Sequence, residues 1–199
     1  MFTGVARAVD VRTVHLTPVD DVSFPFWCDW GYDWDERCYR LDGPRLGVGG
    51  GEPDKVWRSA LRFSTKTIPD AATVITAELS LWYDGTCIAP RKQSRPCEGR
   101  GFDFGLHPIF TPHWFAEREV DYGPQVGFAS LEPFARPQWI TWDVTDLVAD
   151  WSSGGLENDG ILLKLVDGQE NFAVNGPLFP SSRATDPSRR PRLVVWYSP

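Results

Sequence analysis

The run TVITAELSLWY, Thr73 to Tyr83, constrains the fold more than any other stretch. Ile75, Ala77, Leu79, Leu81 and Tyr83 alternate with Thr76, Glu78 and Ser80. A period of two is that of an extended chain with one face in the core and the other toward water. The pattern recurs along the chain. Trp57, Ser59, Leu61 and Phe63 alternate with Arg58, Ala60 and Arg62, and Phe102, Phe104 and Leu106 fall on every second residue. Ile140 and Trp142 oppose Trp139 and Thr141, while Ile161, Leu163 and Leu165 oppose Leu162, Lys164 and Val166. Shorter candidate strands are Val11 to Pro18, Arg45 to Val48, an edge strand within Gln125 to Leu131, Asn171 to Asn175, and Arg192 to Tyr197. About nine or ten strands without intervening helices, joined by long irregular segments, predict an all-β fold. The expected architecture is a jelly-roll or Greek-key β-sandwich of two antiparallel sheets.

One short helix, at about 144–151, interrupts the strands. Asp143 offers an N-cap oxygen and Asp146 a first-turn acid. Leu147, Val148 and Trp151 share one helical face, and Ser152-Ser153-Gly154-Gly155 ends the helix. Asn158-Asp159-Gly160 then turns the chain. The helix is expected to plug one end of the sandwich.

A chain of 199 residues is expected to form a single domain, 1–199, with long inserted loops at about 22–44 and 84–101. Its formal net charge of -7 disfavours nucleic acid and anionic membranes, which need a basic patch. Arg91, Lys92 and Arg95, in IAPRKQSRP between the second pair of cysteines, supply a basic cluster, read as a solvated loop rather than a contact for an anionic partner. No run of about 18 apolar residues exists to insert in a membrane. The stretch MFTGVARAVDVRTVHL has no apolar segment, so no signal peptide is visible in it.

The cysteines Cys28, Cys38, Cys87 and Cys97 form two pairs, each pair spaced by ten. Three connectivities are open, besides four reduced thiols or a zinc site of unusually wide spacing. Local pairing, 28 with 38 and 87 with 97, is favoured because each bridge would staple a loop, worth roughly 2–3 kcal/mol by loop-closure entropy. Such bridges would place the protein in an oxidising setting, extracellular or on a particle surface.

Between Ser23 and Glu36 the aromatics Phe24, Phe26, Trp30, Tyr32 and Trp34 fall on alternate residues, with Trp27 among the intervening ones. Trp27, Trp30, Tyr32 and Trp34 are the candidate ligand-binding residues, a platform for sugar rings or a protein partner. The competing reading makes the same aromatics a satellite core under a folded-back loop. Asp29, Asp33 and Asp35 are weak candidates for a structural calcium ion, at a spacing that matches no loop motif. No catalytic residues are assigned. Of His15, His107 and His113, the last two lie in one turn region, where a metal site would need a third ligand such as Glu117. No nucleophile-elbow motif is present.

Several motifs in order resemble the DNRLRE domain family, a jelly-roll module of bacterial and archaeal surface and secreted proteins. They are Leu16-Thr17-Pro18, Leu46-Gly47-Val48-Gly49, Arg58-Ser59-Ala60-Leu61-Arg62-Phe63, Ala77-Glu78-Leu79-Ser80-Leu81, Trp142-Asp143-Val144-Thr145-Asp146-Leu147-Val148, Asn158-Asp159-Gly160-Ile161-Leu162-Leu163-Lys164 and Arg189-Arg190-Pro191-Arg192-Leu193-Val194-Val195. The chain departs from that pattern at Phe24 to Cys38 and Asp84 to Gly101. The resemblance implies a jelly roll without enzymatic activity, and some members are classed as carbohydrate-binding modules. The expectation is a structural and binding protein on a virion surface, such as a phage tail or capsid-decorating component. Its partners would be other chains of the assembly, copies of itself among them, or a glycan. The alternative is a secreted carbohydrate-binding module.

Overall fold

The structure, a computed structural model, describes residues 10–25, 43–52, 55–89, 93–97, 99–112, 114, 120–170 and 176–199. In chain order the described strands are β1 (Arg12–Leu16), β2 (Pro18–Pro25), β3 (Arg45–Gly47), β4 (Gly49–Glu52), β5 (Lys55–Phe63), β6 (Thr73–Tyr83), β7 (Thr86–Ala89), β8 (Gln93–Pro96), β9 (Phe102–Pro108), β10 (Gly127–Leu131), β11 (Gln138–Asp143), β12 (Ile161–Leu165), β13 (Leu178–Pro180) and β14 (Arg192–Ser198). Helix α1 (Thr145–Ser153) follows β11, and the single turn α2 (Asp167–Glu170) follows β12.

The main strands form two antiparallel sheets. One has the order β1-β14-β6-β11; the other has β10-β9-β12-β5-β2, with β4 also pairing β5. First strand lies beside last, and the chain crosses between the sheets at β1–β2, β5–β6, β10–β11 and β11–β12, as in a jelly roll. The fold is the expected all-β sandwich.

The core lies between the sheets because period-two alternation sends one set of side chains inward from each. Ala77, Leu79, Leu81, Ile140, Trp142, Leu193 and Val195 meet Leu61, Phe63, Phe104, Leu106, Ile161, Leu163 and Leu165. Phe104 sits edge-on to Trp142 at 6.1 Å and to Phe179 at 5.7 Å, the geometry aromatic quadrupoles favour. Helix α1 buries Leu147, Val148 and Trp151 in this same core. Glycine is required at 160, where φ is +116° and an added Cβ would lie 2.7 Å from Leu61 O. That turn is also pinned by Asn158 Nδ2, which donates to Phe63 O at 2.9 Å.

Several expectations change. Val144, not Asp143, holds the N-cap position of α1 and makes no side-chain cap bond. Asp143 acts one residue earlier, accepting from Thr145 N at 2.9 Å and from its hydroxyl at 2.6 Å. Ile75 is exposed rather than core-facing, because the pairing of β14 with β6 shifts register at Trp196/Tyr197 and flips the end of the strand. The stretch 84–101 is not simply a loop, since β7 and β8 pair as a hairpin within it. Val11 to Pro18 splits: β1 ends at Leu16 and β2 starts at Pro18, carrying the chain from one sheet to the other. Between Gly176 and the last strand the chain forms β13, which pairs β3, and a 3-10 turn at Pro187–Arg189. The candidate strand Asn171 to Asn175 lies outside the described residues.

Candidate functional site

The residues singled out for ligand binding, Trp27, Trp30, Tyr32 and Trp34, lie outside the described residues, as do the calcium candidates Asp29, Asp33 and Asp35. The same holds for Cys28, Cys38, His113 and Glu117. Phe24, at the start of that aromatic run, packs half-buried against a satellite core of Val22, Ala60, Ile109, Trp114 and Leu162. Trp114 is buried in that satellite core, and its indole N–H donates to Asp159 O. Cys87 and Cys97 are bridged, and the bond closes the β7–β8 hairpin. An oxidising location follows from that bond. No group of three or more metal-ligating side chains occurs among the described residues.

The structure brings together two surfaces that the sequence did not single out. The first is the outer face of the six-stranded sheet. Arg58 on β5 is buried, and its guanidinium donates to Glu170 through Nε at 2.9 Å and one terminal nitrogen at 2.7 Å. Lys164 on β12, also buried, lies 3.5 Å from Glu170 and donates to Asp167. The outward residues of β5 read as a polar face in the sequence, yet Arg58 is removed from water because α2 folds back over it. Gln169 fixes that turn, accepting from Asp103 N and donating to Asp103 Oδ2, both at 2.8 Å. Tyr122 lies under Arg58, with the guanidinium carbon 5.4 Å from the ring centroid, and His107 meets Tyr122 edge-on at 5.1 Å.

The electrostatics of this cluster are those of a latch. Two buried cations face one buried carboxylate, and the exposed Asp167 supplies a second anion. The hydrogen bond and charge of Lys164 hold the Asp167 carboxyl below the usual carboxylate range. Burial pushes the His107 imidazole below its usual range, outweighing the bond its Nδ1 makes to Gly123 O at 2.9 Å. A carbonyl only accepts, so Nδ1 carries the proton. These polar groups are spent on each other, which holds α2 and the satellite core to the sheet.

The second surface is the outer face of the four-stranded sheet. Trp82 and Trp139 are direct cross-strand partners, with ring centroids 5.5 Å apart at 70°. The Arg192 guanidinium lies 4.0 Å from the Trp139 centroid, and that of Arg189 lies 5.5 Å from the Trp82 centroid. Both tryptophans are half-buried, Arg192 is exposed, and Trp196 is a third half-buried indole further along β14. Guanidinium over indole is an attractive cation–π arrangement that holds the charge in place while leaving its N–H groups to solvent. Sequence reading placed Trp139 on the outer face but gave no reason to connect it to Trp82 or Arg192. Only the pairing of β11 and β14 with β6 does so.

The fold and its surfaces define a class: a disulfide-stapled β-sandwich of jelly-roll topology that presents a tryptophan- and arginine-bearing sheet face. No protein-family model matches the chain, and no curated protein matches it.

Proposed function

We propose that this protein is a non-catalytic structural and binding component of a particle surface, specifically a virion protein of the tail or capsid-decorating kind. The observation that carries the reading is the outer face of the four-stranded sheet. Tryptophan and arginine are the residue types that supply most of the energy at protein contacts. Here Trp82, Trp139, Trp196 and Arg192 stand on one rigid sheet, with the arginine pre-oriented by an aromatic ring. Jelly rolls serve as capsid and lectin domains, an analogy of fold that fits but does not by itself assign a role. The oxidised Cys87–Cys97 pair suits a protein that works outside the reducing cytosol. Mass spectrometry of purified particles from the producing host tests the reading. The expected result is this chain in multiple copies per particle. Recovery only as a free secreted monomer that binds a glycan array would overturn it in favour of a carbohydrate-binding module.

A further inference from the structure

We infer that the outer face of the four-stranded sheet is a self-complementary docking surface for a second copy of this chain, related by a two-fold axis. The face is charge-segregated along its strands. At one end stand Arg192 and Arg189 over the Trp82 and Trp139 pair. Toward the other end Glu78 and Asp143 are direct cross-strand partners, and both are exposed. Two carboxylates facing each other on one sheet repel, so the row is unfavourable as it stands. Asp143 has a local partner in Thr145, whereas Glu78 has no ion-pair partner among the described residues. Arg192 likewise has no carboxylate within ion-pair reach among the described residues.

The spacing suits a two-fold axis. Arg192 pairs with Ser80, and Val194 pairs with Glu78, so the cationic and acidic rows are two residues, or about 7 Å, apart. An axis lying between the two faces, parallel to them and perpendicular to the strands midway between those rows, sets the Arg192 row of each copy against the Glu78 and Asp143 row of the other. The short side chains of Ser80 and Thr141 sit at the centre, already hydrogen-bonded to each other at 2.9 Å, and leave room for approach. Charge complementarity therefore selects a second copy, and a closed two-fold contact satisfies each unbalanced row twice. Four strands at about 4.8 Å by six residues at about 3.4 Å give a flat face of roughly 400 Å². That is below the roughly 800 Å² per partner of a standard interface, so the dimer forms in the micromolar range rather than as an obligate unit. The inference extends the reading of an assembly component, but it is tested on the purified chain alone.

Sedimentation velocity of the full, oxidised chain over a concentration series should show the mass rising from 22.4 kDa toward twice that value. Arg192→Glu and Glu78→Arg should each raise the dimer dissociation constant about tenfold or more, as loss of a close charge pair does. The double variant Glu78→Arg/Arg192→Glu restores opposite charges across the axis and should recover most of the affinity. Thr141→Arg, a bulky charge at the centre, is a second probe if either reversal fails to fold by near-ultraviolet circular dichroism. A wild-type chain that stays monomeric at hundreds of micromolar, reversals that leave association unchanged, or a double variant that does not recover would each overturn the inference. Absence from particles with an intact dimer in solution would instead count against the virion reading alone.

Discussion

Replacing Trp151 tests whether α1 closes the sandwich. The indole is buried at 6 % exposure, and its helix contributes Leu147 and Val148 to the same core. A tryptophan buries about 150–250 Å², which at about 25 cal/mol per Å² is worth about 4–6 kcal/mol as an upper bound. Against this stands the indole Nε1, which is buried without a hydrogen-bond partner. An unsatisfied buried donor costs about 1–3 kcal/mol, which leaves about 1–5 kcal/mol for the side chain; the cavity that truncation opens adds to this, so the expected loss is about 3–5 kcal/mol, the usual range for Trp→Ala. Trp151→Ala should therefore lower stability by that amount in urea titration, shifting the midpoint with the slope unchanged. In a chain of 199 residues the thermal midpoint should fall by roughly 6–20 °C, at about 2–4 °C per kcal/mol. Trp151→Phe keeps most of the apolar contact and removes the orphaned donor, so its loss should stay below about 1.5 kcal/mol. An alanine variant that loses less than about 1 kcal/mol would refute the plug, since no buried tryptophan in a packed core is removed so cheaply. A phenylalanine variant as damaged as the alanine one would show that the Nε1 is satisfied after all.

Glu170→Ala removes the buried carboxylate between Arg58 and Lys164 and should cost about 3–5 kcal/mol in the same titration, whereas under about 1 kcal/mol would mean that α2 is not latched to the sheet. Replacing Cys87 and Cys97 together by alanine reopens a loop with a sequence separation of 10 and should cost roughly 2–3 kcal/mol, again read from the urea midpoint. Burial lowers the His107 pKa in the folded state, so below its ordinary value of 6.5 the unfolded chain takes up the proton first and stability falls as pH falls. His107→Gln should flatten that slope between pH 6.5 and lower values; an unchanged slope would assign it to another group.

The core was legible because it obeys a two-residue period. Apart from Ile75, the inward sets of β5, β6, β9 and β11 read off the sequence, and so did the buried face of α1. What the period could not reveal was a face covered from outside. Arg58 looked like a solvent residue of a half-polar strand, and only a return of the chain by more than a hundred residues puts Glu170 against it. The hairpin of β7 and β8 was hidden for another reason. Its strands are four residues each, too short to show a period, and β8 reads Gln-Ser-Arg-Pro; the disulfide and the buried Cys87 and Ile88 of β7 anchor the pair. Part of the satellite core of Trp114, Ile109 and Leu162 was in the sequence as Leu162, a large apolar side chain on the face of β12 opposite Ile161, Leu163 and Leu165. The tryptophan pair of the outer face was in the sequence as two unrelated indoles, because cross-strand neighbours are set by register, which no local pattern specifies.

That difference between the two outer faces is where the physical argument for a docking surface is strongest. A sandwich has two sheets, and each must either meet water with polar side chains or be covered. On the six-stranded sheet the chain covers itself: α2, Tyr122 and Trp114 lie over Arg58, Lys164, Ala60 and Leu162, and the charges there are matched within the molecule. On the four-stranded sheet, among the described residues, only the guanidinium groups of Arg189 and Arg192 lie over Trp82 and Trp139, and these indoles and Trp196 stay half-buried, although indoles are costly to leave on a water-facing sheet. A monomer with no further task gains nothing from placing Glu78 opposite Asp143 when a lysine at either position would form a favourable cross-strand pair. The same row becomes favourable once Arg192 of a second copy lies across it. The repulsive pair and the unbalanced arginine are thus explained by one contact, and single charge reversals that weaken dimerisation while raising the stability of the isolated chain would be its clearest signature. Glu78→Lys should do so by a few tenths of a kcal/mol up to about 1 kcal/mol, measured by urea titration at concentrations where the wild type is monomeric. A Glu78→Lys chain that is destabilised instead would show that the acidic row is already balanced within one copy.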